Sequence, residues 1–186
     1  MAEQRMNIIS VFTGKRGTGK TTYTRALLKD KKRVLYLMTI SHPAYDDLQT
    51  LDDTTIHALK SWTPDKPGII RIVTTDPMAA MQLINKYVSN CTIVYEDAAK
   101  YIAYSLPDPV LIMVLDSKQR NNDIIMQFHC LMDVPPRLYK NADYLTIFKI
   151  RETPDQVAKA PKYIWPVVAE VNADPNPYAN KTIQLE

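Results

Sequence analysis

Glycine is scarce in this chain, with four in 186 residues. Cysteine occurs twice, as Cys91 and Cys130, both in apolar, strand-like surroundings. Two such residues make no disulfide framework, and buried thiols of a reducing compartment are the expectation. Of the three histidines, His42 and His57 have no partner at metal-ligand spacing, and neither cysteine pairs with them, so a His/Cys metal site is excluded. Long apolar runs are missing as well. The longest, "VLIMVL" at 110–115, falls far short of the ~18 residues that a membrane helix needs. The N-terminal "MAEQRMN" has no charged-then-apolar leader, so no secretory signal is expected. There are no repeats, no low-complexity tract and no heptads. Neither sign of charge dominates: 23 basic against 20 acidic residues leave a net charge of +3. That balance permits a polyanionic partner without requiring one. With 46% hydrophobic and 23% charged residues, the composition is that of one ordinary globular domain, long enough to bury a sizeable core.

What glycine there is lies mostly in one place. Three of the four fall in "GKRGTGKTT" (14–22), which matches G-x-x-x-x-G-K-[ST], the phosphate-binding P-loop. Such a loop turns its backbone N–H groups onto phosphates, and the helix that follows adds its positive end. The spacing assigns nucleotide binding to Gly14, Lys15, Arg16, Gly17, Thr18, Gly19, Lys20, Thr21 and Thr22. Lys20 would reach the β- and γ-phosphates, and the Thr21 hydroxyl would take a place on Mg²⁺. The motif requires a strand before it and a helix after it. "NIISVFT" (7–13) supplies the first and "KTTYTRALLKD" (20–30) the second, with Tyr23, Ala26 and Leu27 as its apolar side.

Beyond the loop, elements alternate. Strands are expected at 33–39, 69–75, 91–95, 123–128 and 143–150, with helices at 76–89, 108–120 and 135–141. The stretch 41–68 is acidic, contains no arginine and reads as irregular with short helical turns. This alternation predicts an α/β fold with a mostly parallel sheet covered by helices on both faces, and together with the loop motif it resembles a P-loop NTPase of the additional-strand type. The division expected is a core at 1–150 and a Pro-rich extension at 151–186, packed on the core or on a neighbouring subunit. Within that extension, "YIWPVVAEV" (163–171) reads as an edge strand.

A P-loop needs carboxylates for the metal and for water. "TIVYEDAAK" (92–100) ends an apolar strand in Glu96 and Asp97, at the end of the strand where open parallel sheets bind ligands. This resembles a Walker B element, whose usual order is Asp-Glu. By position Glu96 serves the metal and Asp97 the water, but the inverted order leaves the two roles open. The next strand runs from a turn containing Arg120 to Gln127, with His129 beyond it. The arrangement resembles that of additional-strand P-loop ATPases, which implies Gln127 as a γ-phosphate sensor and Arg120 as an arginine acting on a neighbouring subunit's nucleotide. His129 reads as a structural histidine.

The pattern over residues 7–150 resembles the FtsK–HerA superfamily, and within it the genome-packaging ATPases of tailless icosahedral viruses. The resemblance implies an ATPase that uses ATP and Mg²⁺, with Lys20, Glu96, Asp97, Arg120 and Gln127 as its catalytic set. It implies a homomeric ring of five or six subunits that translocates DNA without sequence preference. Capsid or portal-vertex proteins are implied as further partners, with the host cytoplasm or the virion vertex as location. Two other readings stay open on the residues alone. One is a small P-loop kinase acting on a nucleotide or similar acceptor, although the arginine-rich lid of such enzymes has no counterpart in 41–68. The other is an assembly ATPase of the zonula occludens toxin type. A regulatory GTPase is disfavoured, because "NKYV" (85–88) lacks the aspartate of the guanine-reading motif.

Overall fold

The computed structural model describes residues 7–102 and 106–185. The polar leader at 1–6 lies outside the described residues. Eight strands form one sheet in the order β3-β4-β2-β5-β6-β1-β7-β8. In chain order these are β1 (Ile9–Thr13), β2 (Arg33–Met38), β3 (Gln49–Leu51), β4 (Gly68–Val73), β5 (Thr92–Tyr95), β6 (Asp123–Phe128), β7 (Tyr144–Phe148) and β8 (Asn180–Gln184). Every pairing is parallel except β7 with β8. The helices are α1 (Lys20–Leu28), α2 (Pro77–Tyr87), α3 (Asp108–Arg120), α4 (Pro136–Asn141) and α5 (Trp165–Ala173).

Side chains of successive strand residues point to opposite faces, and the core divides accordingly. Val11, Leu35, Leu37, Ile93, Tyr95, Ile124 and Met126 face the larger core, which also takes Met81 of α2, Met113 of α3, Leu138 of α4 and Val168 of α5. Phe12, Val34, Tyr36, Val94 and Ile125 face the smaller core, covered by Leu28 of α1 and by Tyr45. The strands are apolar on both sides because both sides are covered, as parallel sheets require. Helix α2 begins where Asp76 accepts a hydrogen bond from the Ala79 N–H, with Pro77 in the first turn.

Three local expectations change. The buried side of α1 is Lys20, Thr24 and Leu28, while Leu27 is exposed. Lys20 must point into the loop that precedes it, and that sets the rotation of the whole helix; residues at i+4 and i+8 follow it inward. Residues 163–171 form no edge strand: most of them belong to α5, with Pro166 in its first turn, where a proline costs no hydrogen bond. The edge strand is instead β8, antiparallel to β7, with the Thr146 and Thr182 hydroxyls 2.8 Å apart across the pair. The acidic stretch 41–68 does contain short helical turns, at Pro43–Tyr45 and Ile56–Ser61, but also β3, a three-residue strand on the other edge. Cys91 is buried and Cys130 half-buried, and both are free thiols. Burial pushes both up to about 12, so neither is a nucleophile at neutral pH.

Candidate nucleotide and catalytic site

The C-terminal ends of β1, β2, β5 and β6 open into a cleft of about 550 Å³. The loop between β1 and α1 forms its floor. Gly14 sits under Phe148, and a side chain there would meet the Phe148 Cβ at 2.5 Å. Gly19, just before α1, has φ of 86°, a left-handed conformation that favours glycine. Thr18 closes the loop by donating to the Lys15 carbonyl at 2.8 Å. Arg16, Gly17, Gly19, Lys20, Thr21 and Thr22 line the cleft. Gly14 and Thr18 are buried in the loop's framework, and the Lys15 side chain is exposed while its backbone N–H donates to the Lys149 carbonyl.

Lys20 is buried, and its ammonium donates to the carbonyls of Gly14 and Lys15. Burial lowers it to about 8, against the attraction of Asp97 and Glu96. A polyanion in the loop would hold it charged.

Facing Lys20 are the two carboxylates at the end of β5. Glu96 accepts hydrogen bonds from the Tyr45 hydroxyl and, at 2.9 Å, from the Gln127 amide. The same amide donates to Thr24 of α1 at 3.0 Å. Gln127 is thus buried, on the α1 side of β6, and fixes Glu96. Burial raises Glu96 to about 7, and the neighbouring Asp97 adds to the rise. The inverted Glu-Asp order has a backbone reason. Asp97 has φ of 47°, in the left-handed region that aspartate enters more readily than glutamate. That turn carries its carboxylate off the strand direction, to within 2.9 Å of Lys100 Nζ and 2.7 Å of His129 Nε2. Burial opposes the Asp97 charge, but the hydrogen bond from Lys100 and the nearby cations outweigh it and hold the carboxyl below its usual range. Burial also lowers His129, partly countered by Asp97, so the imidazole is neutral at pH 7.

The site therefore brings together Lys20, Thr21, Glu96, Asp97 and Gln127. Arg120 stands apart. It is the last residue of α3, before β6, and lines a shallow groove with Gln82, Asn85 and Asp108. Gln127 lies toward the other end of β6, four residues beyond the start of that strand at Asp123. Arg120 therefore takes no part in this chain's own cleft.

Two residues at the cleft escaped the sequence reading, and a third, His129, was read as structural but lines the cleft. His129 was readable: it follows Gln127 by two, so it shares that residue's face where β6 ends. Tyr45 and Tyr178 carry no such signal, since both come from segments without periodicity. Among the described residues no cluster of three His, Cys, Asp or Glu side chains forms a metal site. The donors do suit a magnesium ion shared with a nucleotide. Thr21 and Glu96 line the same cleft, and Mg²⁺ takes an all-oxygen set with phosphate and water completing it.

The raised Glu96 has a measurable consequence. Between its ordinary value of 4.5 and about 7, the folded chain keeps a proton that the unfolded chain has lost, so stability falls as pH rises through that window. Glu96→Gln removes the effect. In protein without nucleotide, the melting temperature of the variant should gain on the native chain from pH 5 to pH 8, by the equivalent of up to about 3 kcal/mol. A difference that stays flat across that range contradicts the half-buried, protonated carboxyl.

No protein-family model matches the chain, nor does any curated protein. Solved structures do. The genome-packaging NTPase B204 from Sulfolobus turreted icosahedral virus 2, in complex with ATP-gammaS, is 18% identical with a TM-score of 0.72, over 99% of this chain and 94% of that one. VirB4 of Thermoanaerobacter pseudethanolicus is 10% identical with a TM-score of 0.54, over 95% and 89%. The N-terminal domain of zonular occludens toxin from Neisseria meningitidis is 12% identical with a TM-score of 0.51, over 82% and 90%. The likeness to B204 spans both chains almost end to end, and the fold of this chain is that of a P-loop NTPase.

Proposed function

We propose that this protein hydrolyses ATP to translocate DNA, packaging a viral genome as a ring of identical subunits of the FtsK–HerA type. The observation that carries the reading is the convergence on one cleft of a complete phosphate loop, a buried lysine and a paired carboxylate held by a strand-end glutamine. Fold likeness to a genome-packaging NTPase points the same way, and the zonular occludens toxin domain is the more distant neighbour. Among the described residues no helix is long and apolar enough to cross a membrane.

In this reading the loop and the α1 N-terminus bind the triphosphate, and Lys20 meets its β- and γ-phosphates. Thr21 and Glu96 would hold Mg²⁺, which supplies charge neutralisation on the phosphates when bound. Asp97, ionised at pH 7 and half-buried, orients and polarises water. Gln127 couples the γ-phosphate end of the cleft to Glu96 and, through Thr24, to α1. Arg120 of a neighbouring subunit completes the charge stabilisation. Asp97→Asn should leave ATP bound and unhydrolysed; if it instead abolishes the Mg²⁺ requirement while Glu96→Gln traps ATP, the two roles are exchanged.

DNA contacts in this reading go to phosphates and ignore sequence. The affinity of the ATP-bound oligomer for duplex or single-stranded DNA should then fall steeply between 50 and 200 mM salt, by about 10³-fold or more if six or more phosphates are contacted. A fluorescence anisotropy titration at several salt concentrations measures it. No binding, or binding indifferent to salt, favours transfer of phosphate to a small acceptor.

A further inference from the structure

The cleft has two ends. Over β5 and β6 it is polar, with Glu96, Asp97, Gln127 and His129. On the side of β7 and β8, the turn between α5 and β8 lays Tyr178 against the start of α1. A side chain built on Gly19 would come within 3.1 Å of Tyr178 Cδ1 and 3.7 Å of its Cγ. Tyr178 is 60% exposed, belongs to neither core, and is the one phenol ring among the described residues that line the cleft. A large ring held in water beside a phosphate loop contributes little to folding.

The turn that presents it is tightly made. Asp174 Oδ1 accepts from the Asn176 N–H at 2.8 Å, and Asn176 Oδ1 from the Tyr178 N–H at 3.0 Å. The Asn180 amide donates to the Tyr178 carbonyl at 3.2 Å. Lys149 ties the turn to the loop: its ammonium donates to the carbonyls of Asn172 and Asp174, and its own carbonyl accepts from the Lys15 N–H at 3.0 Å. The ring is thus placed by the C-terminal segment relative to the phosphate loop itself.

A triphosphate whose γ end meets Lys20, Glu96 and Gln127 runs back along the loop and directs its nucleoside toward the opposite end of the cleft. Resting on the nucleotide reading above, we infer that Tyr178 is the stacking platform for the nucleotide base, so that the C-terminal segment forms one wall of the nucleotide site. A tyrosine suits the task, with a rigid π-face for the base and few rotamers to immobilise. It also gives residues 174–180 a role that neither the core nor the phosphate loop requires.

The test compares two ligands on the full-length chain: ATP, which has a base, and inorganic tripolyphosphate, which has none. Tyr178→Ala should weaken ATP binding about 10-fold or more, in line with the usual effect of removing one aromatic ring stacked on a base, and leave tripolyphosphate within 2-fold of the native value. Tyr178→Phe and Tyr178→Trp should keep native ATP affinity. If Tyr178→Ala binds ATP as the native chain does, the inference fails and the nucleotide reading stands. If it loses ATP and tripolyphosphate equally, Tyr178 only supports the loop, and the inference fails. A native chain that binds neither ligand overturns both.

Discussion

Lys20→Ala should abolish ATP hydrolysis and weaken nucleotide binding. Among the described residues no other ammonium is buried beside the phosphate loop. Its burial is costly in the absence of an anion, as the fall to about 8 shows, and a buried cation at a phosphate is worth far more than an exposed one. Charge on the transferring phosphoryl group grows toward the transition state, so turnover should fall more than affinity, by 10²-fold or more. The lysine also bridges the carbonyls of Gly14 and Lys15, and circular dichroism on the same variant separates loss of the cation from loss of the fold. Near-normal turnover in a folded Lys20→Ala chain would sink the phosphate-loop assignment.

Arg120→Ala should leave ATP affinity intact and cut turnover about 10³-fold, the effect expected of an arginine that stabilises phosphoryl transfer in trans. Arg120 lines a groove with Asn85 and Asp108, away from its own chain's cleft, so in the ring proposed above its effect on turnover would cross a subunit boundary. Mixing exposes this. Arg120→Ala and Lys20→Ala subunits, each inactive alone, form an interface in the mixture with an intact arginine facing an intact loop, and partial activity should return. Full activity of Arg120→Ala alone, or a dead mixture in which mixed oligomers demonstrably form, makes Arg120 a residue of the α3 terminus and no more.

The site was legible where local chemistry leaves a short-range pattern. Glycines at fixed offsets marked the loop, and an apolar strand ending in carboxylates marked β5. What was not legible depended on distant partners. The rotation of α1 is set by Lys20 turning into the loop, so Ala26 and Leu27 face out while Lys20 and Thr24 face in. β3 is three residues long and exists only because β4 lies beside it. The segment around Trp165 is rich in β-branched residues, yet Pro166 starts a helix there and the strand comes later, at Asn180–Gln184, where the pattern is mostly polar. Tyr45 reaches Glu96 across 51 residues of chain, a contact no spacing rule anticipates. The reversed carboxylate pair was visible in the sequence, but its cause, the left-handed backbone at Asp97, was not.

The central claim is that ATP hydrolysis in this cleft drives movement along DNA, and the rate of phosphate release with and without DNA tests it most directly. At fixed protein concentration and low salt, DNA of arbitrary sequence should raise the rate, and raising the salt should remove the stimulation. A rate that DNA leaves unchanged, together with transfer of the γ-phosphate to an added nucleotide acceptor, would contradict the account and identify a kinase.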